Sequence, residues 1–337
     1  MKDCGKARAE GDPAANAEPG VIRLSTRVDP YHDGWRLDEF LRHRFRYLDA
    51  ATWEQRIRAG VIAVNGDVAG AGVTVRRGDV VEYEVRVIEP QVDFRYEVLY
   101  DDADLLAVSK SGNIPVHAGG TYFRHTLVAK LRADFGTELD LAHRLDRETS
   151  GVVVLVRHRR AAQALAGAFA RCEVVKDYVA VVRGDPARDA FEVDAPIGRV
   201  GPEHPVVRRV IDAERGRPAR TLFRVVERLG RFAVVEAKPL TGRTNQVRVH
   251  LEHAGHPVVG DKVYGVPREI LEESLRDPAS PRVTEHLLIP RHALHAGRVT
   301  LLHPRTRRLL VLEAPLPEDM AAFIAAERRS RAGGVRP

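Results

Sequence analysis

The chain has 337 residues, 44% of them hydrophobic, with 53 Lys+Arg against 47 Asp+Glu and a formal net charge of +6. That composition excludes a wholly disordered chain and suggests roughly two domains. Two cysteines, Cys4 and Cys172, exclude a disulfide framework or a Cys-rich zinc site. The longest aliphatic run, Val152–Val156, falls far short of the ~20 residues a spanning helix needs. No apolar block follows the first basic residues, so no signal peptide is expected. The expectation is a cytoplasmic protein without membrane contact. Arginine supplies 46 of the 53 cations. Coding bias would produce that, but the planar guanidinium also suits phosphates and base edges. At +6 this is a hint of nucleic acid and no more.

Residues 1–20 are Ala, Gly, Pro and charge without periodicity, which predicts a disordered tail. Residues 34–90 read as a compact unit. Leu37, Phe40 and Leu41 mark one helix face, and Trp53 and Ile57 a second helix that stops at Gly60. A strand over 61–64, the tight-turn pair Asn65-Gly66 and an alternating strand over 81–87 follow. The two helices carry Arg42, Arg44, Arg46, Arg56 and Arg58. Alone, these are as readily a solvated face.

Beyond residue 91 the pattern turns strand-rich. A hairpin is expected around Asp101–Asp104, a helix at 127–135, a buried strand at 152–156 and a helix at 161–169. Strands follow at 175–182, 221–226 and 232–238, then a helix at 244–254 ended by Gly255, and strands at 299–302 and 309–313. The stretch 266–290 reads as an exposed excursion, and 319–337 as a C-terminal helix or tail. The fold class is α+β, with mainly antiparallel pairing.

Three polar constellations stand out: His143–Gly151 at the mouth of the buried strand, Lys176-Asp177-Tyr178 on a strand, and Gly242–His250 opening a helix. An aspartate between Arg144 and Arg147 would be held ionised by cations within about 4–6 Å. Each segment has an ordinary structural reading: a salt-bridged loop, a rim aromatic, an amphipathic helix. Their order and spacing continue through Gly260-Asp261-Lys262-Val263-Tyr264-Gly265, Arg291–Ala296 and His303-Pro304. Together they resemble the RluA family of pseudouridine synthases over residues 95–318. Residues 34–90, from Arg36-Leu37-Asp38 through Val64-Asn65-Gly66 to Arg77-Gly78-Asp79, resemble the S4 RNA-binding domain. Two positions depart from the family pattern: Ser111 stands where Pro is usual, and Asn245 where His is usual.

The resemblance implies isomerisation of uridine in structured RNA by one aspartate, without cofactor or metal. Asp146 would be the reacting carboxylate, through either a covalent or a glycal route. Arg248 would pair with it. Tyr178 would stack on the base and help move the C5 proton. Arg144 would fill the gap left by the extruded nucleotide. His143, Arg243 and Gln246 would contact substrate, and Arg42 and Arg56 would present the S4-like unit to RNA. Ribosomal RNA is favoured and tRNA is an alternative target; a monomer is favoured.

Two competing classes remain. A glycosidase-like hydrolase would need a second carboxylate, for which Glu148 is the neighbour in sequence. A non-catalytic RNA-binding or assembly factor would need no aspartate beside phosphates. A metal enzyme is disfavoured, since His250 and His253 lack the H-E-x-x-H arrangement.

Overall fold

The computed structural model describes residues 20–45, 48–87, 89–136, 138–201 and 208–333. Arg46 and the tail over 1–19 lie outside the described residues. The chain divides into two compact units, Pro13–Gln91 and Val92–Pro337.

The first unit contains β1 (Gly20–Arg27), α1 (Leu37–Arg44), α2 (Ala50–Arg58), β2 (Ile62–Val64), β3 (Asp67–Val68) and β4 (Val80–Val87). Its sheet runs β1-β4-β2-β3, all antiparallel. Asp49 caps α2, its carboxylate accepting the Thr52 N–H at 2.7 Å. Asn65 and Gly66 both take positive φ, 54° and 92°, as a two-residue hairpin between β2 and β3 requires. Leu37, Phe40, Leu41, Trp53 and Ile57 fill one core against Ile62, Val75, Val81 and Tyr83. Strand β1 precedes residue 34 and pairs along β4, so the sheet starts earlier than periodicity suggested.

The second unit opens with β5 (Tyr96–Asp101), β6 (Leu105–Lys110), α3 (Leu127–Phe135), β7 (Asp140–Leu141), β8 (Ser150–Val156) and α4 (Arg159–Ala170). It continues with β9 (Val175–Arg183), β10 (Ala190–Asp194), β11 (Ile197–Arg199), β12 (Arg209–Ile211), β13 (Arg220–Arg228) and β14 (Phe232–Pro239). It closes with α5 (Gln246–His253), α6 (Arg268–Arg276), α7 (Pro281–Leu287), β15 (Leu294–Leu302), β16 (Leu309–Glu313) and α8 (Glu318–Gly333). The large sheet runs β10-β13-β14-β9-β15-β8-β6-β5, with β16 beside β15 and β7 beside β8; β11 and β12 form a separate ribbon. Only β15 and β8 pair in parallel among the described strands. The architecture is α+β throughout.

Strand β8 explains why the site is rigid. Val152, Val154 and Val156 pack on one face with Ala161 and Leu165 of α4, while Val153 and Leu155 pack on the other with Leu127 and Leu131 of α3. A strand buried on both faces reads as a continuous aliphatic run. The excursion at 266–290 holds two short helices over a small core of Ile270, Val283 and Leu287. Among the described residues no helix is long and apolar enough to cross a membrane.

Candidate active site

The loop leading into β8 is fixed on both sides of Asp146. Upstream, Leu145 is buried in the core beneath the loop. The His143 Nε2 accepts the Val154 backbone N–H at 3.1 Å. Burial, with the Lys176 charge adding to it, lowers the His143 imidazole to about 4, so the ring is neutral. Downstream, the Arg147 carbonyl accepts Lys110 Nζ at 2.9 Å and the Ile114 N–H at 3.2 Å.

The next residues latch the loop to Lys262, 114 positions away, and to a segment some 145 positions away. Glu148 Oε1 accepts Lys262 Nζ at 2.5 Å and Arg147 Nη2 at 2.9 Å, and Oε2 accepts the His292 N–H at 3.2 Å. Thr149 Oγ1 lies 2.7 Å from His292 Nε2, and Ser150 Oγ 2.9 Å from His295 Nδ1. Gly151 has φ +112°, and a Cβ there would lie 2.2 Å from the Ala296 carbonyl oxygen. Glycine is what lets β8 and β15 approach. Glu148, the second carboxylate a glycosidase would need, is buried and committed to this latch.

Asp146 itself is about a quarter exposed, its side chain 26% accessible. Arg248 Nη1 donates to its Oδ2 at 2.9 Å, and Asn245 Nδ2 donates to the same oxygen at 3.3 Å. Arg248 comes from α5, whose inner face places Val247 and Leu251 in the core. Helix α5 begins at Gln246, two residues later than periodicity predicts, because Asn245 takes the left-handed conformation (φ 58°, ψ 18°). Asparagine tolerates that conformation better than most side chains. Burial works against the Arg248 charge, yet Asp261 and then Asp146 hold the guanidinium above its ordinary range.

Asp146 opens into a cleft of about 800 Å³. Arg144, Lys176, Arg217, Lys238, Arg243 and Arg248 line it, and Asp146 is the only acidic side chain among the lining residues. Tyr178, on β9, also lines it; burial first, then the Asp146 charge, raises its phenol well above the ordinary range, so it stays protonated. Arg144 is exposed at the rim, its Nη1 3.1 Å from His117 Nε2. Arg209 lies nearby on β12, and burial, Arg199 and Arg144 together lower its guanidinium. None of Arg144, Arg199, Arg209 and Arg217 pairs with a carboxylate among the described residues.

The other expected site residues divide. Arg243 lines the cleft and its Nε donates to the Pro218 carbonyl at 2.9 Å. Gln246 is 4% exposed with both ends of its amide spent inside the protein. Its Oε1 accepts from Thr241 Oγ1 (2.8 Å) and the Arg243 N–H (3.0 Å), and its Nε2 donates to the Arg220 carbonyl and Thr221 Oγ1 (both 3.0 Å). His250 is likewise internal, bonded to Thr221 Oγ1 and the Ala195 carbonyl. Arg42 and Arg56 lie in the first unit. Arg42 is exposed, with Nε on the Asp38 carbonyl at 3.3 Å, and Arg56 donates to the Glu84 carbonyl.

Sequence reasoning missed two buried charges, Asp261 and Lys110. Lys110 is 1% exposed, and its Nζ donates to the Ser111 and Arg147 carbonyls, both at 2.9 Å. Burial, aided by Arg291, lowers it to about 7. Ser111, the first departure from the family pattern, donates through Oγ to the Asp93 carbonyl at 2.7 Å.

Among the described residues the one cluster with metal-ligand spacing is Asp102, Asp104 and His303. It acts as a clamp. His303 Nδ1 accepts the Arg305 and Thr306 N–H groups, which puts the ring proton on Nε2, 2.8 Å from Asp102 Oδ2. Tyr100 Oη and the Asp104 and Leu105 N–H groups complete Asp102, and His158 and Arg305 occupy Asp104.

Comparison with known proteins agrees with this geometry. The RNA pseudouridylate synthase family profile matches residues 104–253. The uncharacterized RNA pseudouridine synthase YlyB of Bacillus subtilis is 32% identical over 310 residues, covering 88% of this chain and 95% of that protein. Ribosomal large subunit pseudouridine synthase D of Nitrosomonas europaea is 32% identical over 331 residues, covering 94% and 91%. The solved structure of human RNA pseudouridylate synthase domain containing 4 aligns with a TM-score of 0.53 at 26% identity, covering 69% of this chain and 92% of that one. The cleft, its lone carboxylate and these relatives together identify the chain as a member of the RNA pseudouridylate synthase family, an enzyme that isomerises uridine in RNA.

Proposed function

We propose that Asp146 is the reacting carboxylate and that the RNA is large-subunit ribosomal RNA. The observation that carries the first part is the cleft lining: one carboxylate, ion-paired to a buried arginine, among six cationic side chains. Phosphates are drawn into such a cleft while a single anion remains for chemistry. The reaction breaks the N1–C1′ bond, turns the base and joins C5 to C1′. A proton leaves C5 and N1 gains one, so no redox partner is needed. Asp146 serves either as nucleophile or as base in a glycal route. Arg248 pairs with it and aims it. Tyr178, protonated and half-buried, offers its ring to the uracil face. Arg144, exposed at the rim, takes the vacated place in the RNA. His143 and Gln246 hold the two loops, and Arg243 borders the cleft.

We read the first unit as an S4-like RNA-binding domain, on the order helix, helix, strand, turn, strand and the exposed arginines of α1. The names of relatives such as the Nitrosomonas europaea enzyme support the ribosomal target. Pseudouridine maps of total RNA from cells with and without this protein test the reading. Loss at one or a few large-subunit uridines is expected. Loss confined to tRNA would overturn the ribosomal assignment, and an unchanged map would overturn the reading as a whole.

A further inference from the structure

The Gly260–Gly265 segment lies beside the site without a part in the chemistry so far. Asp261 is its centre. The side chain has no solvent exposure. Its carboxylate receives four donors: Arg248 Nε at 2.6 Å and the Tyr264 N–H at 3.0 Å among them, with Arg248 Nη2 at 2.8 Å and the Val263 N–H at 2.9 Å. Two of the four come from the guanidinium in a fork-to-fork pair, the geometry that fixes an arginine plane most tightly. The Tyr264 ring, 1% exposed, lies under the same guanidinium with 4.7 Å from Arg248 Cζ to the ring centroid. Gly260 at the start of the segment has φ +74°, and a Cβ there would lie 2.1 Å from the Arg291 carbonyl oxygen. The segment is therefore a cradle of fixed shape.

The cradle has a consequence for Asp146. With Nε and Nη2 committed to Asp261, only Nη1 of Arg248 is aimed at Asp146, and it reaches Oδ2 alone. Asn245 donates to that same oxygen. Among the described residues Oδ1 receives no hydrogen bond. An arginine free to turn would instead take both oxygens of Asp146 in a fork of its own. We propose that Asp261 is a positioning residue for the reaction: by holding Arg248 end-on, it leaves Oδ1 of Asp146 as the oxygen that reacts. This rests on the reading that Asp146 is the reacting group. The groups that face Asp146 are Arg248 and Asn245 of α5 and its cap, Tyr178 of β9 and Lys110 of β6; Asp261 acts on it only through Arg248.

Steady-state kinetics of the full-length protein on one folded RNA, with Asp261→Asn, Arg248→Lys and the double variant, test the proposal. Asp261→Asn should lower kcat by roughly 10- to 100-fold, with KM within about threefold of wild type. Lysine at 248 has one ammonium and cannot serve two carboxylates in a fork. The arrangement Asp261 imposes is then already lost, so the double variant should fall within about threefold of the poorer single one. A kcat for Asp261→Asn within about threefold of wild type, or losses that multiply, would overturn the proposal. A merely structural role predicts multiplication. Melting temperatures check that each variant is folded. Should Asp261→Asn not fold, Tyr264→Leu, which removes the ring beneath Arg248, carries the same test against Arg248→Lys. An Asp146→Asn control separates the layers. If that control stays active, the underlying reading fails; if it is dead while the Asp261 losses multiply, only this inference does.

Discussion

Residues 13–91 hold 11 arginines against 12 acidic side chains, and residues 92–337 hold 39 Lys+Arg against 32 acidic side chains. The positive excess of the chain thus lies wholly with the unit that contains the cleft. Four arginines around the cleft also differ from three in the first unit. In the first, Arg58 pairs with Glu54 at 2.5 Å, Arg36 with Asp38 at 3.1 Å, and Arg56 is spent on the Glu84 carbonyl. Around the cleft, Arg144, Arg199, Arg209 and Arg217 pair with no carboxylate among the described residues, and Arg209 is pushed down by burial and its like-charged neighbours. Unpaired, mutually repelling cations await an anion; paired ones are largely satisfied. Electrostatic attraction for RNA is therefore expected to come from the catalytic unit, with the first unit adding a smaller share.

That comparison can be broken. Replacing Arg144, Arg199 and Arg209 together with Gln should give the largest loss of affinity, on the order of 10²-fold at low salt, and should lower the log–log salt slope by about 2–3. An unchanged slope in filter binding would show that these arginines do not meet phosphates.

Removing residues 1–91 should have a smaller effect. Its core residues pack among themselves, so the remainder should stay folded. Arg42 and Arg44 are exposed without an ion pair among the described residues, which predicts a slope change of about 1–2. Turnover on a short saturating RNA should be preserved. A slope loss larger than that of the rim variant would reverse the ranking of the two units. Equal slopes with and without residues 1–91 would remove the case for RNA contact by α1 and α2.

The smallest effect concerns stability and belongs to the catalytic unit alone. Lys110 falls from 10.5 to about 7 on folding, chiefly by burial. Between those values the folded protein binds fewer protons at Lys110 than the unfolded chain. Its contribution to stability therefore rises with pH across that window, by up to about 1.4 kcal/mol per pH unit, and levels off below pH 7. A neutral amine has two N–H donors, which matches its two carbonyl partners. Urea unfolding of wild type and Lys110→Met at pH 7 to 9 should show a stability difference that shifts in favour of wild type as pH rises. A constant difference would mean the ammonium is tolerated.

Much of this was legible in the sequence where spacing carries the signal. The aliphatic run of β8, the helix faces of α3 and α4 and the Asn65-Gly66 hairpin follow from periodicity and turn chemistry. The strands β10 to β12 did not, because they are only three to five residues long. The 266–290 stretch reads as an exposed excursion, whereas Ser280 caps a helix with Pro281 in its first turn, a start signal available in the sequence. For the site, motif order picked out Asp146, Tyr178 and Arg248. It could not show that Gln246, although it lines the cleft, has its amide bonds made within the protein. Nor could it reveal Asp261 and Lys110, since a buried charge takes its meaning from partners 13 and 37 positions away.

The account depends most on Asp146 as the sole reacting group. Turnover of Asp146→Asn on a folded RNA substrate, measured alongside its affinity for that RNA, tests this directly. Pseudouridine formation should fall by more than about 10⁴-fold while RNA affinity stays within about tenfold, because binding resides in the surrounding cations. Turnover within about tenfold of wild type would contradict the account.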